Sequence, residues 1–481
     1  MNTMNTRRKF LRDLSCASLA ITSAPYLSFG AKPDKQPKVV EKYEKDPIRL
    51  GFVGCGLMGG ANMRSFKNLK QRLTAYCDVD TGAYGFGKAQ RYADKDAKAF
   101  VDYREMFDKL EGKLDAVVIS TPDHSHFAAA MCALKHKIPV YLEKPMCHNI
   151  RQIRDLVKFA EKVGVATQMG NIVHSADGIR YTREWIRAGL IGKVRKVIMW
   201  TTRPVGGCNR PTMAYKQWPS EPVPPTLDWD KWLNVAEWGP FSSEIVPLNW
   251  RRVYKYGTGA LGDIGTHILD VPMFALDLDY PSKIISRQTG GTEISVPRQD
   301  HITYYFDNSN QGEKVEIHWY SGFLKPNKNG EWDPKFDKDF LFELPKEFTD
   351  TGRSYKDLSS ADGMFIIGDE GVLYSPKMHL MGKPIVLPKA KTALTKNIEE
   401  SEPRIKYGDH RVNFVEAVRG DIKKATANLP DMAKLTEVVL LGNLTLRTGE
   451  PVVWDAKAMR AIGGSDKMNS LIDTPMRPGW Y

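Results

Sequence analysis

Cysteine is scarce, with six in 481 residues, and no CxxC pair or other metal-ligand spacing occurs. That argues against a structural zinc site and against a dense disulfide framework. Beyond the first thirty residues no apolar run approaches the roughly 20 residues a bilayer-spanning helix needs, so stable membrane insertion is not expected. Charge is not segregated either. The 69 Lys and Arg are scattered among 57 Asp and Glu, and a net charge of +12 spread in this way makes no basic stripe for nucleic acid. Internal repeats and low-complexity segments are absent. A chain that is 42% hydrophobic and 26% charged is globular.

What is there begins with a transport address. Thr6-Arg7-Arg8-Lys9-Phe10-Leu11 places two adjacent arginines before an uncharged stretch, residues 14–29, interrupted by Ser15, Ser18, Thr22 and Pro25. This is the pattern of a twin-arginine signal, with small residues around Ser28-Phe29-Gly30 for cleavage and a mature chain starting near Ala31. Residues 1–31 are therefore expected to be a signal peptide read by the twin-arginine machinery, and the protein is expected to be periplasmic or otherwise exported. Cys16 lacks the preceding apolar run of a lipoprotein box. Five cysteines remain after processing, Cys55, Cys77, Cys132, Cys147 and Cys208, and their apolar surroundings predict buried free thiols.

The remaining chain, about 450 residues, is long enough for two domains. Residues 32–46, rich in lysine and proline, read as a linker. Residues 48–53 form an apolar strand that runs into Gly54-Cys55-Gly56-Leu57-Met58-Gly59, with a helix-compatible stretch from Ala61 and a second strand, 73–77, ending in Asp78. A lone GxGxxG is weak. Between a strand and a helix, with an acid 24 positions after Gly54, it reads as a dinucleotide fingerprint. Gly54 permits the tight turn, Gly56 lets backbone approach a pyrophosphate, and Gly59 allows close helix packing. The N–H groups at the N-terminus of that helix face the phosphates, and Leu57 and Met58 of the loop are candidate cofactor contacts. Asp78 would accept hydrogen bonds from the adenosine ribose and repel a 2′-phosphate, favouring NAD over NADP; the plainer alternative is that it caps a turn.

The alternation continues. Residues 115–120 form a buried strand, Thr121-Pro122 breaks it, and 125–134 is helical; then come a strand at 138–142, a helix at 150–163 and a strand at 166–169. Residues 47–171 are thus expected to be an α/β, doubly wound parallel sheet, the Rossmann arrangement. Residues 172–481 change texture: alternating strands such as 193–200 and 301–306 lie between irregular stretches (203–225, 238–247, 325–332), which predicts a mixed sheet with elaborate loops. Trp218, Trp229, Trp232 and Trp250 are either stacking platforms for sugar rings or buried loop anchors.

Four segments then resemble the Gfo/Idh/MocA family: Gly54 to Gly59, Ser120-Thr121-Pro122-Asp123-His124-Ser125-His126, Glu143-Lys144-Pro145, and Gly262-Asp263-Ile264-Gly265-Thr266-His267-Ile268-Leu269-Asp270. The resemblance implies an N-terminal Rossmann domain and a C-terminal α/β domain whose large open mixed sheet often makes oligomer contacts, hence a homo-oligomer. It implies that Lys144 lies beside nicotinamide and substrate, that His267 takes a proton from a substrate hydroxyl, and that Asp263 binds substrate or assists the histidine. Read from the residues alone, Lys144 follows a buried strand at the sheet's ligand-binding edge, and Asp263 and His267, four apart, share a helix face. Thr121, Pro122, His126, Glu143, Lys144 and Asn171 join the glycine loop and Asp78 as candidate cofactor contacts. His124 is a positioning group and Asp270 a structural one. No metal is expected.

The implied activity is hydride transfer between a secondary hydroxyl of a sugar or polyol and a tightly held nicotinamide cofactor. A redox-assisted glycosidase or lyase using recycled NAD is the alternative, against which Lys144 argues, since that branch of the family lacks this lysine. A non-catalytic sugar-binding protein is a third reading, against which the intact Lys144, Asp263 and His267 argue.

Overall fold

A computed structural model describes residues 46–203, 218–359, 361–376 and 382–481. The proposed signal peptide, nearly all of the linker, Cys16, Cys208 and much of the 203–225 stretch lie outside the described residues.

The first sheet has six parallel strands: β1 (Arg49–Val53), β2 (Arg72–Cys77), β3 (Lys98–Phe100), β4 (Ala116–Ile119), β5 (Val140–Leu142) and β6 (Thr167–Met169), in the order β3-β2-β1-β4-β5-β6. This is the doubly wound order, whose switch point lies between β1 and β4. β4 and β5 are buried along their whole length, as strands covered on both faces must be. Helix α1 (Leu57–Asn68) starts directly at the glycine loop, earlier than the expected Ala61. The glycines at 59 and 60 are no obstacle there: both are buried, and a Cβ on Gly59 would stand 1.9 Å from the Gly54 carbonyl oxygen. Helices α2 (His126–Lys135) and α3 (Ile150–Val163) make the crossovers from β4 to β5 and from β5 to β6; α3 opens with an Asn149/Gln152 capping box and closes on Gly164 at φ 73°.

The second sheet has seven strands: β7 (Val194–Thr201), β8 (Lys283–Thr289), β9 (Gln299–Phe306), β10 (Val315–Ser321), β11 (Asp362–Gly368), β12 (Val372–Ser375) and β13 (Ile385–Leu387). Their order is β13-β12-β11-β7-β10-β9-β8, with β7 and β10 parallel and every other pair antiparallel. Side chains alternate across it. Val197, Met199, Ile317, Trp319, Met364 and Ile366 face a core shared with helices α4 (Asp177–Arg187), α5 (Thr266–Ala275) and α6 (Leu429–Thr448). That core runs without a break into the first sheet, through Val117, Ile119 and Leu142.

The opposite face, with Ile198, Trp200, Tyr320, Phe365 and Tyr374, is not left open. Phe323, Phe336, Phe342, Phe348 and Leu358, from the connection between β10 and β11, bury it. Cys55, Cys77, Cys132 and Cys147 are buried free thiols, and burial raises the pKa of each. No helix among the described residues is long and apolar enough to cross a membrane.

Candidate active site

The carboxyl ends of adjacent strands converge. Gly54 follows β1, Asp78 follows β2, Thr121 and Asp123 follow β4, Glu143 and Lys144 follow β5, and Asn171 follows β6. Ligands of doubly wound sheets bind along this edge.

At the nucleotide end, Gly54 has φ +81° and would bring a Cβ within 2.6 Å of the Ser120 carbonyl oxygen, so only glycine fits. Leu57 and Met58, at the start of α1, are exposed by 45% and 38%. The Asp78 carboxylate accepts hydrogen bonds from the backbone N–H groups of Cys55 (2.7 Å) and Asp80 (2.9 Å). Burial raises its pKa to about 6 despite those bonds. The Tyr84 ring, which no sequence motif marks, packs so closely on Gly56 that a Cβ there would lie 2.6 Å from it. The Tyr84 hydroxyl takes up the Leu57 N–H at the start of α1; glycines at 54 and 56 and a carboxylate after β2 fit a dinucleotide.

Three of the expected cofactor contacts are held in place by partners within the protein. The ring nitrogens of His126 lie against the carbonyl oxygens of Pro145 (2.8 Å) and Thr121 (2.9 Å), tying together the loops after β4 and β5. Glu143 accepts from Asn62 Nδ2 at 2.9 Å, and Asn171 is engaged at both ends of its amide. His124 turns away from the edge into an aromatic cluster, against the carbonyls of Trp232 and Tyr256, and burial lowers its pKa to about 4. Trp229 and Trp232 stack at 4.7 Å in that cluster and are buried, so they are anchors; Trp218 and Trp250 pack on its edge.

At the chemical end, Lys144 Nζ, only 6% exposed, donates to the Asp263 carboxylate and to its carbonyl, both at 2.7 Å. The second carboxylate oxygen of Asp263 pairs with Arg203, and Arg251 Nε stands 3.6 Å from the first. Arg251 is held in turn by Asp123 at 2.9 Å, and Asp123 also accepts from the N–H (3.0 Å) and hydroxyl (2.5 Å) of Thr258. Burial pushes the Asp263 pKa up, but Arg251, Lys144 and Arg203 outweigh it and hold the carboxyl well below its usual range.

The expected Asp263–His267 face is not what the chain builds. Residues Leu261–Gly265 form a π-helical turn before α5 begins at Thr266, and the wider turn rotates Asp263 away from the i, i+4 position. Asp263 goes to the cations. His267 Nδ1 lies 2.5 Å from Asn171 Oδ1, and Asn171 Nδ2 donates to Asp270 at 2.9 Å. Asp270, expected to be structural, is thus linked to the histidine. Arg203 and Arg251 carry no signal in the sequence, since an arginine in a turn ordinarily marks only surface, and the π turn that redirects Asp263 leaves none either. Asp123 belongs to the segment Ser120 to His126 and is legible there.

Residues 48–171 match a family described as "Oxidoreductase family, NAD-binding Rossmann fold", and residues 179–311 match "Oxidoreductase family, C-terminal alpha/beta domain". Among curated proteins the chain is similar to 2,7-anhydro-N-acetylneuraminate hydratase of Escherichia coli K12 (29% identity; 31% of this chain, 38% of that protein). It is also similar to inositol 2-dehydrogenase/D-chiro-inositol 3-dehydrogenase of Lactiplantibacillus plantarum (26%; 31% and 43%) and to glycosyl hydrolase family 109 protein 2 of Shewanella sp. ANA-3 (28%; 39% and 44%). The chain thus spans less than half the length of these relatives. Among solved structures, the WlbA dehydrogenase of Chromobacterium violaceum with NADH and UDP-GlcNAcA aligns at TM-score 0.57 and 14% identity, covering 85% of this chain and 97% of that one. The myo-inositol dehydrogenase of Lactobacillus casei with NAD(H) and myo-inositol aligns at 0.52 and 15%, covering 88% and 99%. At these identities the structures speak for the fold.

Proposed function

The chain belongs to the Gfo/Idh/MocA family of oxidoreductases, and from that premise we propose that it moves hydride between a secondary hydroxyl of a sugar or polyol and a nicotinamide nucleotide, NAD rather than NADP. The observation that carries the reading is the meeting, at one sheet edge, of the Lys144–Asp263 pair and the Asn171-bound His267. A nicotinamide nucleotide supplies the hydride acceptor. The chain's residues do the rest. Lys144 has three ammonium hydrogens, two of them given to Asp263, and the third is available to a substrate oxygen. His267 accepts the hydroxyl proton as the C–H bond breaks. Asp263, kept ionised by its cations, fixes the direction of Lys144.

Export through the twin-arginine route is part of the proposal, supported by Arg7, Arg8 and the uncharged run behind them. A protein exported folded can carry its nucleotide with it, and a retained nucleotide has to be reset by a second substrate or later in the same cycle. The similarity to family 109 glycosyl hydrolases keeps transient oxidation of a glycoside as the second reading. One experiment addresses both. Purified protein is denatured and its released nucleotide identified by mass spectrometry; native protein is then mixed with a panel of glycosides and inositols while the absorbance of bound cofactor and the release of aglycone are followed. Reduced nucleotide without aglycone release is the expected result. Absence of nucleotide in the protein, together with no binding of added NAD or NADP, would remove the proposal.

Asp78 makes nucleotide affinity dependent on pH. Ribose hydroxyls donate to the ionised carboxylate, and a group whose pKa is about 6 in the free protein is protonated below that value. NAD affinity should be flat above pH 7 and about tenfold weaker at pH 5. Calorimetric titration at the two pH values reads this directly. Asp78→Ala should flatten the dependence and narrow the gap between NAD and NADP; an unchanged ratio of the two affinities would leave Asp78 a turn residue.

A further inference from the structure

Behind His267 the buried polar groups form a chain with one consistent assignment of protons. Asp270 receives two donors: Asn171 Nδ2 at 2.9 Å, and His174 Nδ1, which lies 2.9 and 3.0 Å from its two oxygens. Asn171 is wholly buried, and Asp270, His267 and His174 are 2%, 5% and 7% exposed, so water does not supply alternative partners cheaply. A turned-over Asn171 amide would set its oxygen against the carboxylate, which repels it, and its NH2 against His267. The amide therefore presents its oxygen to His267. An oxygen at 2.5 Å from Nδ1 requires that nitrogen to be the donor, and the lone pair of the neutral ring then resides on Nε2.

We infer that Asp270, supported by His174, is a positioning residue that fixes the tautomer of His267 through Asn171, so that Nε2 is the proton-accepting atom. Asp270 lies one turn beyond His267 on the same helix, α5, while Asn171 comes from the end of β6. The intermediary is thus delivered by the Rossmann sheet, and the tautomer is correct only when the two sheets are assembled. The segment that carries it is pinned on further sides. Ser175 Oγ and His410 Nδ1 are 2.6 Å apart, and Arg180 donates to the carbonyl oxygens of His174 (2.9 Å) and Ala176 (3.0 Å). Asparagine in this place gives orientation without charge; the charge that orients it stands one residue farther back.

The inference rests on the reading of His267 as the base, but its test does not depend on turnover. Full-length protein with 15N-labelled histidine, purified with whatever nucleotide it retains, gives ring-nitrogen resonances, and that of His267 is identified by its loss in His267→Gln. The expected spectrum shows protonated Nδ1 and unprotonated Nε2. In Asp270→Asn the neighbouring amide is free to turn, and the ratio of the Nδ1–H to the Nε2–H form should fall about tenfold or more, the scale of one hydrogen bond to a charged group. His174→Gln keeps an N–H donor toward Asp270 and should leave the ratio within a few-fold. An Nε2–H form in the unaltered protein overturns the inference, and so does an unchanged ratio in folded Asp270→Asn. If that variant does not fold, the unaltered protein's spectrum decides alone. Failure of His267→Ala to lower turnover would remove the base while leaving the tautomer result standing.

Discussion

Lys144→Ala and His267→Ala should each keep their nucleotide and lose turnover by about a hundredfold or more, the usual scale for removing a proton-transfer group. The separation follows from geometry. Both side chains reach the site from outside the glycine loop, Lys144 held by Asp263 and His267 by Asn171, whereas Asp78 is held by the Cys55 and Asp80 N–H groups, so the nucleotide cradle should stand without them. The two variants should still differ. His267→Ala removes the proton acceptor, so its loss should appear in the chemical step. Lys144→Ala also frees the Asp263 carboxylate to swing toward Arg251, which would distort substrate binding as well. Single-turnover hydride transfer with whichever polyol proves active, with nucleotide quantified in each variant, checks both. Near-normal transfer in His267→Ala leaves Lys144 as the only candidate base; near-normal transfer in both means that the site lies elsewhere.

The cofactor half of this picture was legible in the sequence and the substrate half only partly. Strands covered on both faces must be continuously apolar, so β1, β4 and β5 stand out; β1 runs into the glycine loop, and β4 and β5 are followed at once by the polar residues Ser120 and Glu143. β3 was missed for the converse reason, because two of its three residues are exposed and the strand is too short to show a period. In the second sheet, β7 and β9 were read and the strands around them were not. The aromatics of Phe323 to Phe348 bury the sheet's outer face from a connection with little regular structure, and no local pattern announces a contact of that kind. The same limit applies at the site. Lys144 was found by its neighbours Glu143 and Pro145, whereas the partnership of Asn171 and His267 joins residues 96 apart and depends on how the two sheets meet. A helical spacing of four suggested Asp263 for that role, and the π turn withdrew it.

Asp263→Ala should be the most destabilising single change at the site. It leaves the ammonium of Lys144, 6% exposed, without its carboxylate and with Arg251 still near. Removing one partner of a buried pair typically costs about 3–5 kcal/mol, because the surviving charge cannot return to water. The compensating change is then Lys144→Met. The double variant Lys144→Met/Asp263→Ala should recover a large part of the loss while remaining inactive, since what destabilised the single variant was an unpaired charge rather than a lost contact. Urea unfolding monitored by tryptophan fluorescence gives the three midpoints. The dependence on pH has a definite sign. The folded-state pKa of Asp263 is depressed, so its contribution is fully present above the unfolded value of about 3.9 and is lost as pH falls through the lower, folded value. The gap in midpoint between unaltered protein and Asp263→Ala should therefore be constant from neutrality down to about pH 4 and close only in stronger acid. A double variant no more stable than Asp263→Ala would show that the carboxylate holds the π turn itself, through the packing around Gly262 and Thr258, and that its charge is secondary.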